Sequence, residues 1–163
     1  MNEFNVPDVM GEAIGWKALG VHDKGAQFLR LKSMYGGGGL PLECLLWPTD
    51  RWYVGLCPHG HTDVPHEGCM CGVYSRLTRE QVVNETSYAN YAAHTAVPLV
   101  LCQLALAGRV IHGSKGQKAA LARIARIEVP YEMERLGRRL GETYKVPVGL
   151  GLLLPDQARH GQH

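Results

Sequence analysis

Six side chains of metal-ligand type fall within the fifteen residues from Cys57 to Cys71: Cys57, His59, His61, His66, Cys69 and Cys71. Zinc takes four soft or borderline donors in a tetrahedron, and short turns rich in glycine and proline let thiolates and imidazoles converge on it without strain. Pro58, Gly60, Pro65 and Gly68 supply such turns here. Cys57, Cys69 and Cys71 provide three thiolates. His61 is the first choice for the fourth ligand, because Cys57-x3-His61 makes a compact pair facing Cys69-x-Cys71, and His66 and His59 are the alternatives. Thiols packed this closely without a metal are open to oxidation. The chain has five cysteines, an odd number, which suits metal binding better than a disulfide framework. Cys44 and Cys102 stand in apolar surroundings and read as core residues.

The same spacing bears on whether the metal is structural or catalytic. A zinc deaminase uses His-x-Glu followed well downstream by Pro-Cys-x-x-Cys. Here His66 and Glu67 are adjacent and the thiols are Cys69-x-Cys71, so that pattern fails. Hydrolytic zinc sites use histidine and carboxylate ligands and keep one position for water, whereas three cysteines and a histidine close the shell. A structural zinc ion (Zn2+) is therefore expected. A shell completed by water, or by Asp63 or Glu67, would turn the reading toward catalysis. Gly108-x4-Gly113-Ser114-Lys115 has the outline of a phosphate loop, but its last two residues are reversed and it lacks the strand-then-helix setting. His94, His112, His160 and His163 have no partner at a telling distance in sequence.

The elements that must position this cluster are legible from period and turn chemistry. Trp16–Val21 and Gln27–Leu31 read as two strands of a hairpin joined by His22-Asp23-Lys24-Gly25. Gly36–Gly39 reads as a mobile loop, Leu42–Leu46 as a strand ended by Trp47-Pro48, and Trp52-Tyr53-Val54 as the lead into the cluster. Thr78-Arg79-Glu80-Gln81 is a capping box that starts a helix with Val82, Thr86, Ala89 and Ala93 on one face. Val97–Ile111 reads as one buried strand interrupted at Gly108, or two with a bulge, and Ala119–Val129 as its return after a turn at 112–116, although Ala119–Ile124 also has good helix propensity and an ambiguous period. Met133, Leu136, Leu140 and Tyr144 line one face of a second helix, and Val146–Leu154 reads as a last short strand. The predicted fold class is α+β: a small single domain with short antiparallel strands, two helices and a zinc-stapled loop. Its boundaries are an arm at 1–14, the domain at 15–154 and a flexible tail at 155–163.

Composition narrows the function classes. A chain of 163 residues, 45% hydrophobic and 20% charged, is long enough for one core, and no apolar run approaches the roughly 20 residues that cross a bilayer. Nor does the N-terminus look like a secretory signal, so a cytoplasmic location is expected. The net charge of +2 is unevenly spread: Arg109 to Lys145 holds nine Lys/Arg against four Glu, a local +5, leaving −3 elsewhere. Arg109, Lys115, Lys118, Arg135, Arg138 and Arg139 are the candidate basic residues for a phosphate backbone or an acidic partner.

Several short motifs occur in a fixed order: Gly15-Trp16-Lys17, Leu31-Lys32-Ser33-Met34-Tyr35, Trp47-Pro48, then Cys57, His61, Pro65 and Cys69-Met70-Cys71-Gly72-Val73-Tyr74. Gly108-Arg109-Val110-Ile111-His112 follows, with Gly116 and Lys118-Ala119. This string resembles small zinc-motif proteins of actinobacteria and their phages, over roughly Gly15 to Glu128. The resemblance implies a zinc site with His61 as its histidine and an actinobacterial or phage setting, with the host cytoplasm as location, and it supplies no reaction. This chain departs from the pattern by one extra residue between His61 and Cys69 and another between His112 and Gly116. The expected function is a non-catalytic, zinc-stabilised interaction protein. Its partner is a host or self protein, or a nucleic acid met by the basic half, with the aromatic loop of Trp47, Trp52 and Tyr53 as a further docking feature. The alternative is a zinc-dependent hydrolase or deaminase-like enzyme in which His94, His112 or Glu85 lines a pocket.

Overall fold

Strand β1 (Ala13–Asp23) runs antiparallel to β2 (Leu29–Lys32), with Val21 opposite Leu31, as the hairpin pattern predicts. The computed structural model describes residues 13–25, 27–34, 41–85 and 97–152. The Gly36–Gly39 loop, the positions Thr86, Ala89 and Ala93, His94, the tail with His160 and His163, and all of the arm except Ala13 and Ile14 lie outside the described residues. Ala13 and Ile14 belong to β1.

The centre of the fold is a long hairpin, β5 (Leu99–His112) and β6 (Gln117–Val129), with β1 on the other side of β5. Its register shifts twice, between Gln103 and Leu104 and between Ala107 and Val110, and the second shift coincides with Gly108 at φ 72°. A left-handed glycine is what a bulge at that point requires. The turn at 113–116 and β6 then follow the expected order, which removes Gly108–Lys115 as a phosphate loop: strands flank the turn where such a loop needs a helix.

Three short strands line the outer edge of β6. These are β4 (Val73–Ser75), β3 (Tyr53–Val54) and the parallel β7 (Val148–Leu150). Immediately after β4, Arg76 exchanges two backbone hydrogen bonds with Trp16 of β1, at 2.8 and 2.9 Å. Strands β1, β5, β6 and β4 therefore form a closed hydrogen-bonded ring. The strands are not uniformly short or antiparallel as expected: β5 and β6 span 14 and 13 residues, and β7 is parallel because a helix separates it from β6.

Where two helices are expected, the described residues hold three, with a 3-10 turn at Tyr131–Met133. Helix α1 (Leu42–Leu45) replaces the predicted strand. Pro41 at φ −64° precedes it, and the N–H groups of Cys44 and Leu46 bond back to Pro41 and Leu42. Proline pre-set at a helix entrance, followed by apolar residues without alternation, favours a helical turn over a strand. Only Leu46 keeps an extended pairing, opposite Lys32. Helix α2 (Arg79–Val83) starts at the Thr78 capping box with both of its hydrogen bonds in place, and Val82 is buried. Helix α3 (Glu134–Tyr144) seats against the end of β6. A Cβ at Gly137 or Gly141 would stand 2.6 Å from Val129 or Val148 respectively, so both positions permit a close approach of the helix to the sheet.

Alternation along β1 and β5 feeds two cores. Leu19, Val100, Cys102 and Leu104 join Trp47, Ile127, Leu140 and Tyr144 in one, while Ala18, Leu99 and Leu101 join Val82 and Leu152 in the other. Trp47 is 1% exposed and stacks on Tyr53, with ring centres 4.5 Å apart, which corrects their assignment to a docking loop. Among the described residues, no helix is long and apolar enough to cross a membrane.

Candidate metal centre

The loop from Gly55 to Gly72 begins at β3 and ends at β4, so both of its feet stand on the same edge of β6. Tyr53 lies opposite Ala122 and Val73 opposite Ala119. The Gly55 N–H donates to the Ala120 carbonyl at 2.8 Å. The feet also touch each other, since a Cβ on Gly55 would lie 2.9 Å from the Gly72 Cα. Gly72 has φ 96°, a left-handed backbone, and carries the chain from Cys71 into β4. Inside the loop, tight turns close at Cys57–Gly60 and His66–Cys69 through backbone bonds of 3.2 Å. The Val64–Pro65 peptide is cis.

These turns bring the four expected ligands together. One ligand atom from each of Cys57, His61, Cys69 and Cys71 lies within 4.8 Å of the others. Cys57 Sγ is 3.2 Å from His61 Nδ1 and 3.7 Å from Cys69 Sγ. A tetrahedron with metal–sulfur bonds of about 2.3 Å has sulfur–sulfur edges of about 3.8 Å, which the Cys57–Cys69 distance matches, so the four could hold one ion. The backbone N–H of His66 donates to Cys71 Sγ at 3.2 Å, as suits a sulfur that carries negative charge. Burial pushes the Cys57 thiol up, but backbone N–H groups of His61 and His59, with the neighbouring thiols, outweigh it and bring the pKa down to about 6. Cys71 is buried, and that burial leaves its thiol above the usual range.

The remaining candidates of the cluster stand outside this group of four. His59 is exposed. His66 stacks its ring on His61 and bonds Asp63 through Nδ1 at 2.8 Å, and Asp63 in turn lies 3.6 Å from Arg109. Glu67 is exposed. Cys102 is fully buried and its thiol is pushed far up by that burial, while Cys44 is half-buried in α1.

The six basic candidates separate into two groups at opposite ends of β6. Near its start, Lys118 donates its ammonium to the carbonyls of His66 and Cys69, Arg109 faces Asp63, and Lys115 lies in the turn, its carbonyl accepting from Arg76. At the far end, on α3, Arg138 pairs with Glu134, Arg139 pairs with Asp23 at 2.9 Å, and Arg135 is exposed. The sequence marks Lys118 only as a basic residue, and nothing local signals that it ties the metal loop to β6. Of the residues weighed for an enzyme pocket, Glu85 pairs with Arg76 at 2.8 Å and His112 is exposed at the end of β5. No family model, curated protein or solved structure matches the chain.

Proposed function

We propose that the chain is a non-catalytic, zinc-stabilised interaction protein in which Cys57, His61, Cys69 and Cys71 hold one zinc ion. The carrying observation is the donor set: three sulfurs and one imidazole nitrogen within 4.8 Å of one another, with a backbone N–H aimed at one sulfur. Four such donors leave no position for an activated water, which favours a structural metal over a hydrolase or deaminase. The ion would fasten the Gly55–Gly72 loop above β6. Met70, between two of the ligands, is 96% exposed, an apolar side chain held out toward a protein partner. The same reading offers the basic residues near Lys115 as a secondary contact. An actinobacterial or phage setting, with the host cytoplasm as location, rests on the resemblance. Purified protein should contain about one equivalent of zinc, and chelation or Cys71→Ser should lower the melting temperature by many degrees, because structural zinc binding is coupled to folding. Metal-free protein that melts with the holo form overturns the reading.

A further inference from the structure

The outer edge of β6 is interrupted. Strand β3 covers it as far as Ala122 and β7 resumes at Ile127, so among the described residues no strand pairs with positions 123–126 on this edge. A cleft of about 510 Å³ opens there, away from the four metal-type side chains, none of which lines it. Its floor is Ile124 and Ala125, and its walls are the segment 48–52 and the chain leaving α3 at 144–147. The β5–β6 register shifts at the same place, with one more residue on β6 than on β5 between the pairs Leu104–Ile124 and Gln103–Arg126. Bulges of this kind re-aim side chains and are common beside binding sites.

The cleft is charged and carries an aromatic surface. Arg51, Arg123 and Lys145 line it against a single acid, Asp50. The Arg123 guanidinium carbon lies 4.8 Å from the Trp52 ring centre, so a cation and an indole form one wall. Lys145 is held in place by the left-handed turn that ends α3, at φ 56°. The volume falls in the range of small-molecule sites, roughly 300–1,000 Å³. Arginine and lysine suit phosphate oxygens, and an aromatic ring or guanidinium plane suits a stacked base.

We infer that this cleft binds a nucleotide unit, its base against Trp52 and Arg123 and its phosphate toward Arg51 and Lys145. The inference is independent of the metal site. A nucleotide unit reaches the cleft either as a free mononucleotide or as part of a single strand, and the test separates these sources. Calorimetric titrations at low salt on the zinc-loaded protein would compare adenosine 5′-monophosphate, adenosine, inorganic phosphate and a short oligothymidylate. The nucleotide should bind more tightly than adenosine or phosphate alone. A further gain per nucleotide with the oligomer points to a single strand, and none points to the free nucleotide. Arg123→Gln and Lys145→Asn, the latter chosen because asparagine tolerates a left-handed backbone, should each weaken nucleotide binding about tenfold. Trp52→Leu should weaken the nucleotide and leave phosphate binding unchanged. Melting curves and zinc content on the same samples identify any variant that has lost its fold or its metal. No binding by nucleotide or oligomer, equal binding of nucleotide and phosphate, or folded Arg123 and Lys145 variants that bind as the parent does would overturn the inference.

Discussion

The imidazole of His66 lies over that of His61, with ring centres 4.0 Å apart and planes 19° apart, while Asp63 anchors the outer ring through Nδ1. A side chain that touches a ligand without being one fixes the ligand's orientation, and its loss commonly lowers metal affinity 10- to 100-fold. Spacing alone treats His59 and His66 as equivalent reserves. Their surroundings differ: His59 is exposed, and His66 is half-buried against the site. Chelator competition should therefore rank the variants in three steps. His61→Ala should lose the most zinc affinity, His66→Ala about tenfold, and His59→Ala almost none. Equal behaviour of His66→Ala and His59→Ala would remove the stacked ring from the site's support.

Gly72 links the last thiol to β4 at φ 96°, and a Cβ there would stand 2.8 Å from the Pro65 Cβ. Gly72→Ala should cost about 2 kcal/mol or more, through backbone strain and the clash together. Equilibrium denaturation of zinc-loaded protein measures it, and a loss below about 0.5 kcal/mol would mean that the loop relaxes freely.

The Tyr144 hydroxyl is buried, donating to the Trp47 carbonyl and accepting from the Leu31 N–H, both at 2.8 Å. Burial raises its pKa to about 12, so it stays protonated through the neutral range. Tyr144→Phe leaves a carbonyl and an N–H without that partner and should cost about 2–3 kcal/mol. Thermal melts of the two proteins provide the comparison, and matched midpoints would contradict this role.

Asp23 accepts from the Arg139 side chain at 2.9 Å and from the Gly25 N–H at 3.0 Å, and these two bonds hold its carboxyl below the usual carboxylate range. A lowered carboxyl pKa contributes stability that is complete above the unfolded value of about 3.9 and fades as pH falls through the folded value. Asp23→Asn should therefore show a small destabilisation at pH 7 that disappears near pH 2. Denaturant midpoints at the two pH values test the sign, and a difference that grows on acidification would reverse it.

Sequence legibility followed the range of the forces involved. The capping box at Thr78, the Asp23-Lys24-Gly25 turn and the break at Gly108 are local, and each stands where its residues indicate. The four metal-type side chains are equally local: they fall within fifteen residues, and the turns at Cys57–Gly60 and His66–Cys69 help to bring them together. Leu42–Leu45 is helical where the sequence suggests a strand, because an apolar run of that length has no period to separate the two, and Pro41 favours the helix. Trp47 has the composition of a docking residue, and what encloses it besides the nearby Tyr53 is distant in sequence: Tyr144 and β2. Lys118 and the interrupted edge of β6 were invisible for the same reason: both depend on which strands pair with β6 and where they stop.

The footing of the metal loop on β6 sets an order of events during synthesis. Residues 57–71 leave the ribosome before the strand on which they will rest, as β1 leaves before β5. Until β6 emerges, neither β3 nor β4 has a sheet to join, and the Trp16–Arg76 pairing has little to hold it. The four metal-type side chains, in contrast, lie within fifteen residues of one another. A zinc ion captured by the nascent chain would fold the loop into a finished knot with both ends side by side, ready to be taken up as a unit. The thiols would also be covered during the interval in which they are most accessible to oxidants.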